Sequence, residues 1–300
     1  MNFIVLDLEW NSAYFKAQGR FINEIIQIGA VKLNEKIEII DSFQVVIKSA
    51  ISKKLSKRVI ELTGITNERM NAGISLTEAV DKYNSWVGKD SVTMTWSDSD
   101  LFAIADNSSA FLKGEKTLKI ENYVDLQSYI QGELKIMGNT ITSQISLANA
   151  ANMMGISTEK FDLHTAKDDA ELSAIMLSKA YNSQRFNALI RDTSDPSFYK
   201  RLFFKPYYIS NLKDKRINTN YLKFTCTQCK NRLTRTNRWK YKNNWFRAEF
   251  ICNECSLDLK CMISFKQTFD KVVVKKRILP IVINEEGQKI EQMQQLPQKL

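Results

Sequence analysis

Hydrophobic positions in the first 180 residues alternate between short strand-like runs and helical periodicity. Apolar runs predict buried strands at 2–10, 91–96 and 123–126. A short polar break separates 21–33 from 37–47, which predicts two antiparallel strands joined by a tight turn. Helical spacing predicts helices over 52–62, from 75 to about 87, from about 100, over 146–156 and over 166–181. Strands interspersed with helices indicate one α/β domain with a mixed sheet.

Two local signals define helix ends in this part. Gly64 is expected to end the helix that begins near Ser52, because glycine adopts the left-handed conformation of a helix C-terminus. Ser75 and Glu78 have the spacing of a capping box and predict the start of the next helix.

A polar stretch around 182–196 predicts a boundary, and the chain beyond it is short-stranded, aromatic and basic. We therefore expect a first domain over 1–182, a connecting segment over 183–220, a second domain over 221–284 and a Gln-rich tail over 285–300 that is a frayed helix or disordered.

Composition indicates a folded chain with no membrane segment. Hydrophobic residues make up 44% and charged residues 25% of the 300 positions, an ordinary globular balance. No run approaches the ~18 apolar residues of a membrane span. The N-terminal apolar stretch lacks a basic leader and contains Asp7 and Glu9, so it does not resemble a signal peptide. The five cysteines then suggest metal ligands or free thiols in a cytoplasmic protein.

The net charge of +10 is unevenly distributed. Residues 1–195 contain 21 Lys and Arg against 25 Asp and Glu, a net charge of −4, whereas residues 196–300 contain 22 against 8, a net charge of +14. A strongly basic second part indicates a module that binds a polyanion. The alternative is a basic surface that serves solubility.

The first candidate motif is Asp7-Leu8-Glu9 on the opening strand. Residues i and i+2 share one face of a strand, so both carboxylates point the same way. Side-by-side carboxylates on a buried strand repel each other unless a cation neutralises them. An exposed strand end would also accommodate this pattern.

Two further acidic motifs follow later in the chain. The turn Trp96-Ser-Asp-Ser-Asp100 comes after an apolar strand, where a helix N-cap is the simpler explanation. His164 is the single histidine and lies five residues before Asp169, near the start of a helix. Acids in a first helical turn also interact favourably with the helix dipole, without any catalytic role.

Together these motifs resemble the DEDDh class of 3′–5′ exonucleases. EIIQIGAVKL after DLEWN, then LTGIT, WSDSD and HTAKDDA stand in the order and approximate spacing of its ERI-1-like branch, over roughly residues 1–180. The resemblance implies an α/β ribonuclease H-like fold, a mixed sheet flanked by helices. One departure is Ser97, where the branch usually has Gly after the Trp.

The resemblance also implies site residues and cofactors. It assigns Asp7, Glu9, Asp100 and Asp169 as ligands of two divalent metals, Mg²⁺ or Mn²⁺, and His164 as the general base. Asp98 lies close by, and Asp100 is the better match of the two. Carboxylate oxygens suit such hard cations, and histidine exchanges protons near neutral pH. Trp10 and Asn11 are expected to pack against the terminal nucleotide.

The second part contains two C-x-x-C pairs, Cys226/Cys229 and Cys252/Cys255, separated by 22 residues. This spacing predicts a Cys₄ zinc ribbon with one structural Zn²⁺. Cys261 is then most simply a small buried side chain, and a Cys255/Cys261 pairing is the alternative.

A segment rich in cations and aromatic residues, and free of acids, runs between the two cysteine pairs. Alternating cations and aromatics offer phosphate contacts and base stacking together. The candidate nucleic-acid contacts are Arg232, Arg235, Arg238, Trp239, Lys240, Tyr241, Lys242, Trp245 and Arg247. The alternative is that the aromatics form the small core of the ribbon. The later run Lys271–Arg277 predicts a strand that could extend this surface.

These observations favour a metal-dependent 3′–5′ exonuclease that releases nucleoside 5′-monophosphates from nucleic acid. The ERI-1-like resemblance favours RNA as the partner, with DNA as the alternative. A non-catalytic nucleic-acid-binding adaptor is the hypothesis from a different class.

Overall fold

A computed structural model describes residues 1–283 and 289–291 of the chain. It consists of two compact units, Met1–Leu202 and Phe203–Leu300. The expected connecting segment 183–220 is therefore divided: its first part belongs to the first unit and the remainder to the second.

The first unit contains a six-stranded mixed sheet with the strand order β3-β2-β1-β4-β5-β6. Strands β1, β2 and β3 are antiparallel, β1, β4 and β5 are parallel, and β6 is antiparallel to β5. The strands are β1 (Asn2–Phe15), β2 (Arg20–Leu33), β3 (Ile39–Val46), β4 (Ser91–Thr95), β5 (Asn122–Asp125) and β6 (Arg191–Asp192).

Helices cover both faces of this sheet. They are α1 (Lys57–Thr63), α2 (Asn67–Asn71), α3 (Leu76–Val87), α4 (Ser99–Phe111), α5 (Leu126–Ile136), α6 (Leu147–Met153), α7 (Ala166–Ala180), α8 (Ser183–Asn187) and α9 (Pro196–Phe203). Because side chains of a strand alternate between faces, Phe3 and Val5 of β1 pack with α5, α6 and α7, whereas Ile4 and Leu6 pack with α3 and α4.

Local signals in the sequence agree with most helix ends. Gly64 has φ +64° and its N–H donates to the Ile60 carbonyl, as expected of a helix C-cap. The Ser75 hydroxyl accepts a hydrogen bond from the Glu78 N–H at the start of α3. Helices α2, α5, α8 and α9 were not predicted from the sequence, and two predicted elements have different ends. β1 continues to Phe15 as part of a long hairpin with β2, and α1 begins only after Ser56, whose hydroxyl accepts from the Val59 N–H.

The second unit is built on an antiparallel sheet in which β10, β11 and β12 are the long strands. Its core includes alternate residues of β10 and β11, among them Phe246, Phe250, Leu259 and Ile263. The described strands are β7 (Tyr207–Tyr208), β8 (Thr234–Arg235), β9 (Lys240–Lys242), β10 (Trp245–Cys252), β11 (Leu257–Gln267), β12 (Val272–Ile283) and β13 (Lys289–Glu291).

Two further expectations concern the C-terminal tail and membrane-spanning helices. Apart from β13, the expected tail 285–300 lies outside the described residues. Within the described ranges, no helix combines the length and apolar character that crossing a bilayer requires.

Candidate active site

Three of the predicted acids meet at one end of β1. Oxygen atoms of Asp7, Glu9 and Asp169 lie within 4.8 Å of one another. Asp7 and Glu9 share a face of β1, and Asp169 is in the first turn of α7, which packs against β1 and β2. Residues more than 150 positions apart in sequence therefore form one carboxylate cluster.

Asp100 adjoins this cluster from the first turn of α4. Its side chain is buried, and its Oδ1 accepts a hydrogen bond from the Leu8 N–H at 3.1 Å, between Asp7 and Glu9. The Asp98 carboxylate instead accepts a hydrogen bond from the Tyr123 hydroxyl at 3.1 Å. Of the two neighbouring acids, Asp100 is thus the one that the structure places beside Asp7 and Glu9.

The cluster is electrostatically unfavourable without a cation. Burial, followed by the charges of Asp100, Asp169 and Glu9, raises the pKa of Asp7 well above its usual range. Burial and the neighbouring carboxylates raise the pKa of Glu9 to about 8, and burial raises that of Asp100 to about 7. Burial also raises the pKa of Asp169. Divalent cations would relieve these penalties.

A second observation fits the same donor set. The Asp169 Oδ1 is buried and has no hydrogen-bond partner among the described residues. A buried acceptor without a partner is costly unless an ion or water fills the role. Four converging carboxylates with spare oxygen lone pairs are suitable ligands for Mg²⁺ or Mn²⁺ and poor ligands for softer ions.

His164 lies in the loop that precedes α7. Its side chain is exposed, and its backbone N–H donates to the Asp169 Oδ2 at 3.3 Å. The N–H of Asp162 donates similarly to the Asp168 carboxylate at 2.8 Å, so both acids hold this loop against the helix. His164 has φ +75°, a conformation that side chains with a Cβ rarely adopt. The loop therefore holds the backbone of His164 next to Asp169 in a strained conformation.

Ser97 has φ +82° in the turn between β4 and α4. Glycine adopts this conformation without steric cost, whereas the Cβ atom of serine causes steric strain there. The turn geometry therefore explains why glycine suits this position, and serine keeps the turn that places Asp100.

Two residues that hold the site together were not singled out from the sequence. Gln27 pairs with Glu9 in the sheet, is 1% exposed, and its Oε1 accepts a hydrogen bond from the Ala166 N–H at 3.0 Å. Gly29 pairs with Asp7, and a Cβ there would lie 2.2 Å from the Ala166 carbonyl carbon. Both fix the start of α7, and with it Asp169, against the strand pair that carries Asp7 and Glu9.

Trp10 and Asn11, which are expected to pack against the terminal nucleotide, lie on opposite faces of β1. Trp10 lies on the face of β1 opposite Asp7 and Glu9 and packs against the core formed with α3 and α4. Asn11 lies on the same face as the acids, is 4% exposed, and its Nδ2 donates to the Ser52 hydroxyl at 3.2 Å. Trp10 is therefore partly buried against this core, and Asn11 anchors the loop before α1.

A comparison with protein-family models identifies the first unit. Residues 4–177 match the RNase_T exonuclease model, which is more than half of the chain. The chain belongs to the RNase_T exonuclease family. Membership confirms the DEDDh-type 3′–5′ exonuclease resemblance and implies dependence on a divalent metal. A search of curated protein sequences finds no match.

Solved structures of nucleases share the fold of the first unit. The nuclease domain of 3′hExo, a DEDDh family member bound to rAMP, is 21% identical with a TM-score of 0.50, and the match covers 59% of this chain and 90% of that one. Cell-death related nuclease 4 (CRN-4) is 19% identical with a TM-score of 0.50, over 59% of this chain and 62% of that chain. The chain thus spans less than two thirds of CRN-4. The ribonuclease H-like mixed sheet is confirmed.

The four predicted zinc ligands of the second unit also converge. The sulfur atoms of the two C-x-x-C pairs lie within 4.8 Å of one another, with Cys229 and Cys252 only 3.5 Å apart. After each pair the chain turns through positive φ, +63° at Lys230 and +52° at Ser256. Two similar turns thus present four thiols to one point, as a tetrahedral zinc site requires.

The thiols influence one another's ionisation. Backbone N–H groups of Cys229 and Gln228 lower the pKa of Cys226 to about 7. Hydrogen bonding to Cys229, then burial, raises the pKa of Cys255 to about 12. A soft cation would allow all four to ionise. Cys261 lies outside this group, and burial in the core of the second unit raises its pKa to about 12.

The nine candidate nucleic-acid contacts do not form one surface. Trp239 packs against Phe224 and Phe250 in the core, with ring centroids 6.1 and 5.7 Å away. Trp245 and Arg247 are partly exposed on β10. The remaining six are exposed: Arg232, Arg235, Arg238, Lys240, Tyr241 and Lys242.

Proposed function

We propose that this chain is a two-metal 3′–5′ exonuclease that removes nucleoside 5′-monophosphates from single-stranded RNA. The observation that carries the proposal is the convergence of Asp7, Glu9, Asp169 and Asp100 beside His164 in a chain of an exonuclease family. Family membership supplies the reaction class, and the carboxylate cluster supplies the place where the reaction would occur.

The four carboxylates would hold two Mg²⁺ or Mn²⁺ ions. Such a pair of ions stabilises the attacking and the leaving oxygen of a phosphodiester during in-line displacement. The raised pKa values of Asp7, Glu9 and Asp100 favour this assignment, because they indicate negative charge that the protein alone does not balance.

The protein contributes proton transfer and positioning. His164, exposed beside Asp169, would accept a proton from the attacking water at an unprotonated ring nitrogen. The Asp169 carboxylate accepts a hydrogen bond from the His164 backbone N–H, which links the proposed proton acceptor to a proposed metal ligand. Gln27 and Gly29 keep both against β1 and β2.

The second unit would hold the nucleic acid and one structural Zn²⁺. Four convergent thiols suit Zn²⁺, and the net charge of +14 over residues 196–300 suits a polyanion. The preference for RNA rests on the ERI-1-like sequence resemblance. Single-stranded DNA is the competing substrate.

The test is digestion of matched RNA and DNA oligonucleotides that are blocked at either end. With Mn²⁺ or Mg²⁺, RNA with a free 3′ end should shorten one nucleotide at a time, and RNA with a blocked 3′ end should persist. Faster digestion of DNA would overturn the RNA preference. Persistence of every substrate would overturn the enzymatic proposal and favour a nucleic-acid-binding adaptor.

Two neighbouring acids provide a matched control. Asp100→Asn should reduce cleavage more than about 100-fold, because it removes a ligand. Asp98→Asn should leave cleavage within a few-fold, because Asp98 faces Tyr123. His164→Ala should reduce kcat by about 10² to 10⁴. Equal effects of the two aspartate variants would contradict the assignment of Asp100.

A further inference from the structure

The strand register of the second unit divides the predicted nucleic-acid contacts between two faces of its sheet. Directly opposed residues of antiparallel strands lie on the same face. Lys242 is opposite Trp245, and Lys240 is opposite Arg247. These four side chains therefore share one face of the sheet.

The opposite face is the core. Tyr241 is opposite Phe246 and its ring lies 4.9 Å from that of Phe246. Arg235 is opposite Phe250, and its guanidinium lies 5.9 Å from the centre of the Trp239 ring. Tyr241 and Arg235 are exposed, but they lie with Trp239 on the side of the sheet that carries the core.

The first face continues onto β11 and β12. Arg247 is opposite Met262, which is opposite Arg277, so two arginines flank Met262 in one row. Lys275 is opposite Ser264 in the next row. The Arg277 guanidinium lies 4.9 Å from the centre of the Trp245 ring, which joins the two rows. Met262 and Ser264 are 7% and 2% exposed beneath these longer side chains.

This surface, hereafter the Trp245 face, consists of Lys240, Lys242, Trp245, Arg247, Lys275 and Arg277. Among the described residues, none of its five cations forms an ion pair. The Arg247 Nε is buried and without a hydrogen-bond partner in the described part of the chain. Glu249 and Lys260 begin the next row and bound the surface on that side.

We propose that the Trp245 face is where the exonuclease holds the single-stranded part of its substrate, with a base stacked on Trp245 and phosphates on the five cations, Arg277 included. The inference rests on the proposed function for the identity of the substrate. It narrows the sequence prediction: Lys275 and Arg277 of the run 271–277 are retained, whereas Arg232, Arg238 and the residues on the core side of the sheet are left out.

Two properties of this face favour a single strand of nucleic acid as the occupant. Five cations without described acidic partners attract a polyanion. A tryptophan beneath a guanidinium offers a flat surface for an unstacked base, which duplexes do not present and which stacking proteins use. A generic polyanion would use the cations and gain nothing from the ring.

Fluorescence anisotropy of the full-length protein tests the proposal. A labelled 20-nucleotide uridine strand and a thymidine strand are titrated in an Asp7→Ala background, which prevents digestion, without chelator. Trp245→Ala should weaken affinity about tenfold and Trp245→Phe far less. Lys275→Gln/Arg277→Gln should lower the slope of log affinity against log salt by about 1.4, since each phosphate contact on a single strand contributes about 0.7.

The matched control removes two cations elsewhere in the same unit. Arg232→Gln/Arg238→Gln changes the net charge equally, and its effect on the salt slope should be less than half as large. Zinc content and thermal melting verify that each variant is folded. Equal slopes for the two double variants, or unchanged affinity for Trp245→Ala, would overturn the proposal.

Inorganic polyphosphate separates stacking from charge. The affinity for polyphosphate should fall in the Lys275→Gln/Arg277→Gln variant and should be unchanged in the Trp245→Ala variant. Equal loss of both ligands with Trp245→Ala would contradict base stacking. The readout needs no catalysis, so a protein that binds through this face without cleaving RNA would defeat the proposed function and leave this inference standing.

Discussion

The two candidate metal centres are held in place in opposite ways. The carboxylates come from β1, α4 and α7, and a large apolar core on both sides of the sheet fixes them. The thiols come from two short turns in a much smaller core. Carboxylate geometry therefore depends on distant packing, whereas thiol geometry is local and needs the ion to complete it.

Metal ions are therefore expected to contribute differently to the stability of the two units. In the first unit the fold forces charges together, so the empty centre is a source of instability that metal relieves. In the second unit a small domain gains folding free energy from the metal itself. Removing a ligand should accordingly have opposite effects on stability in the two units.

The largest effect is expected from Asp7→Asn. Cleavage should fall more than about 10³-fold, because a ligand between two others is lost. Without added divalent metal, the melting temperature should rise by a few degrees, because burial and three acids make the ionised Asp7 unfavourable. Activity assays and calorimetry check both, and a lower melting temperature would contradict the electrostatic account.

Gly29→Ala tests the packing of α7 against β2. A Cβ there would overlap the backbone of Ala166 and Lys167, so α7 and Asp169 must shift. We expect the cleavage rate to fall about 100-fold, because a shift of a catalytic group by about 1 Å has an effect of that size. Gly132→Ala in α5 is the control, because nothing lies within 4 Å of its added Cβ and it should stabilise by about 0.5–1 kcal/mol. Unchanged kcat for Gly29→Ala would refute the positioning role.

Cys252→Ser breaks the thiol centre. The second unit should lose zinc and melt separately, so KM for a 20-nucleotide RNA should rise about tenfold with weaker salt dependence. Cleavage of a trinucleotide should change less than twofold, since the carboxylate cluster lies in the other unit. Metal analysis and steady-state kinetics check this, and full loss of trinucleotide cleavage would show that the units are not independent.

The smallest effect is a pH dependence of stabilisation by Mg²⁺. Glu9 keeps its proton up to a pKa of about 8, compared with 4.5 ordinarily, so the metal-free fold loses stability as pH rises between those values. Metal binds the ionised form, so its affinity rises over the same window. The increase in melting temperature on adding Mg²⁺ should be a few degrees larger at pH 8 than at pH 6. An equal increase would argue against titration of this cluster.

Sequence patterns predicted the parts of the two metal centres whose residues lie close together in the chain. The period of two on β1 places Asp7 and Glu9 together, and the two C-x-x-C pairs indicate the thiol cluster. Gln27 and Gly29 escaped notice, because their partner Ala166 is more than 130 residues away and only the folded chain brings them into contact.

The sequence contains a local signal for which side chains share a face of the sheet in the second unit. Asn243 and Asn244 both have positive φ, as in the two-residue turn of a tight hairpin. That turn sets Lys242 opposite Trp245 and thereby sends Tyr241 and Trp245 to different faces. Composition alone treats the two aromatics as equivalent, whereas the turn places Tyr241 on the face that carries Phe246 and Trp245 on the face that carries Arg247.

The proposed active site consists of four carboxylates and one imidazole that form a centre for hard divalent cations. The most direct measurement is anomalous diffraction from crystals of the full-length protein grown with Mn²⁺. We predict two manganese peaks about 3.5–4 Å apart, bounded by Asp7, Glu9, Asp100 and Asp169. Manganese bound elsewhere, with these four side chains free of it, would contradict the account.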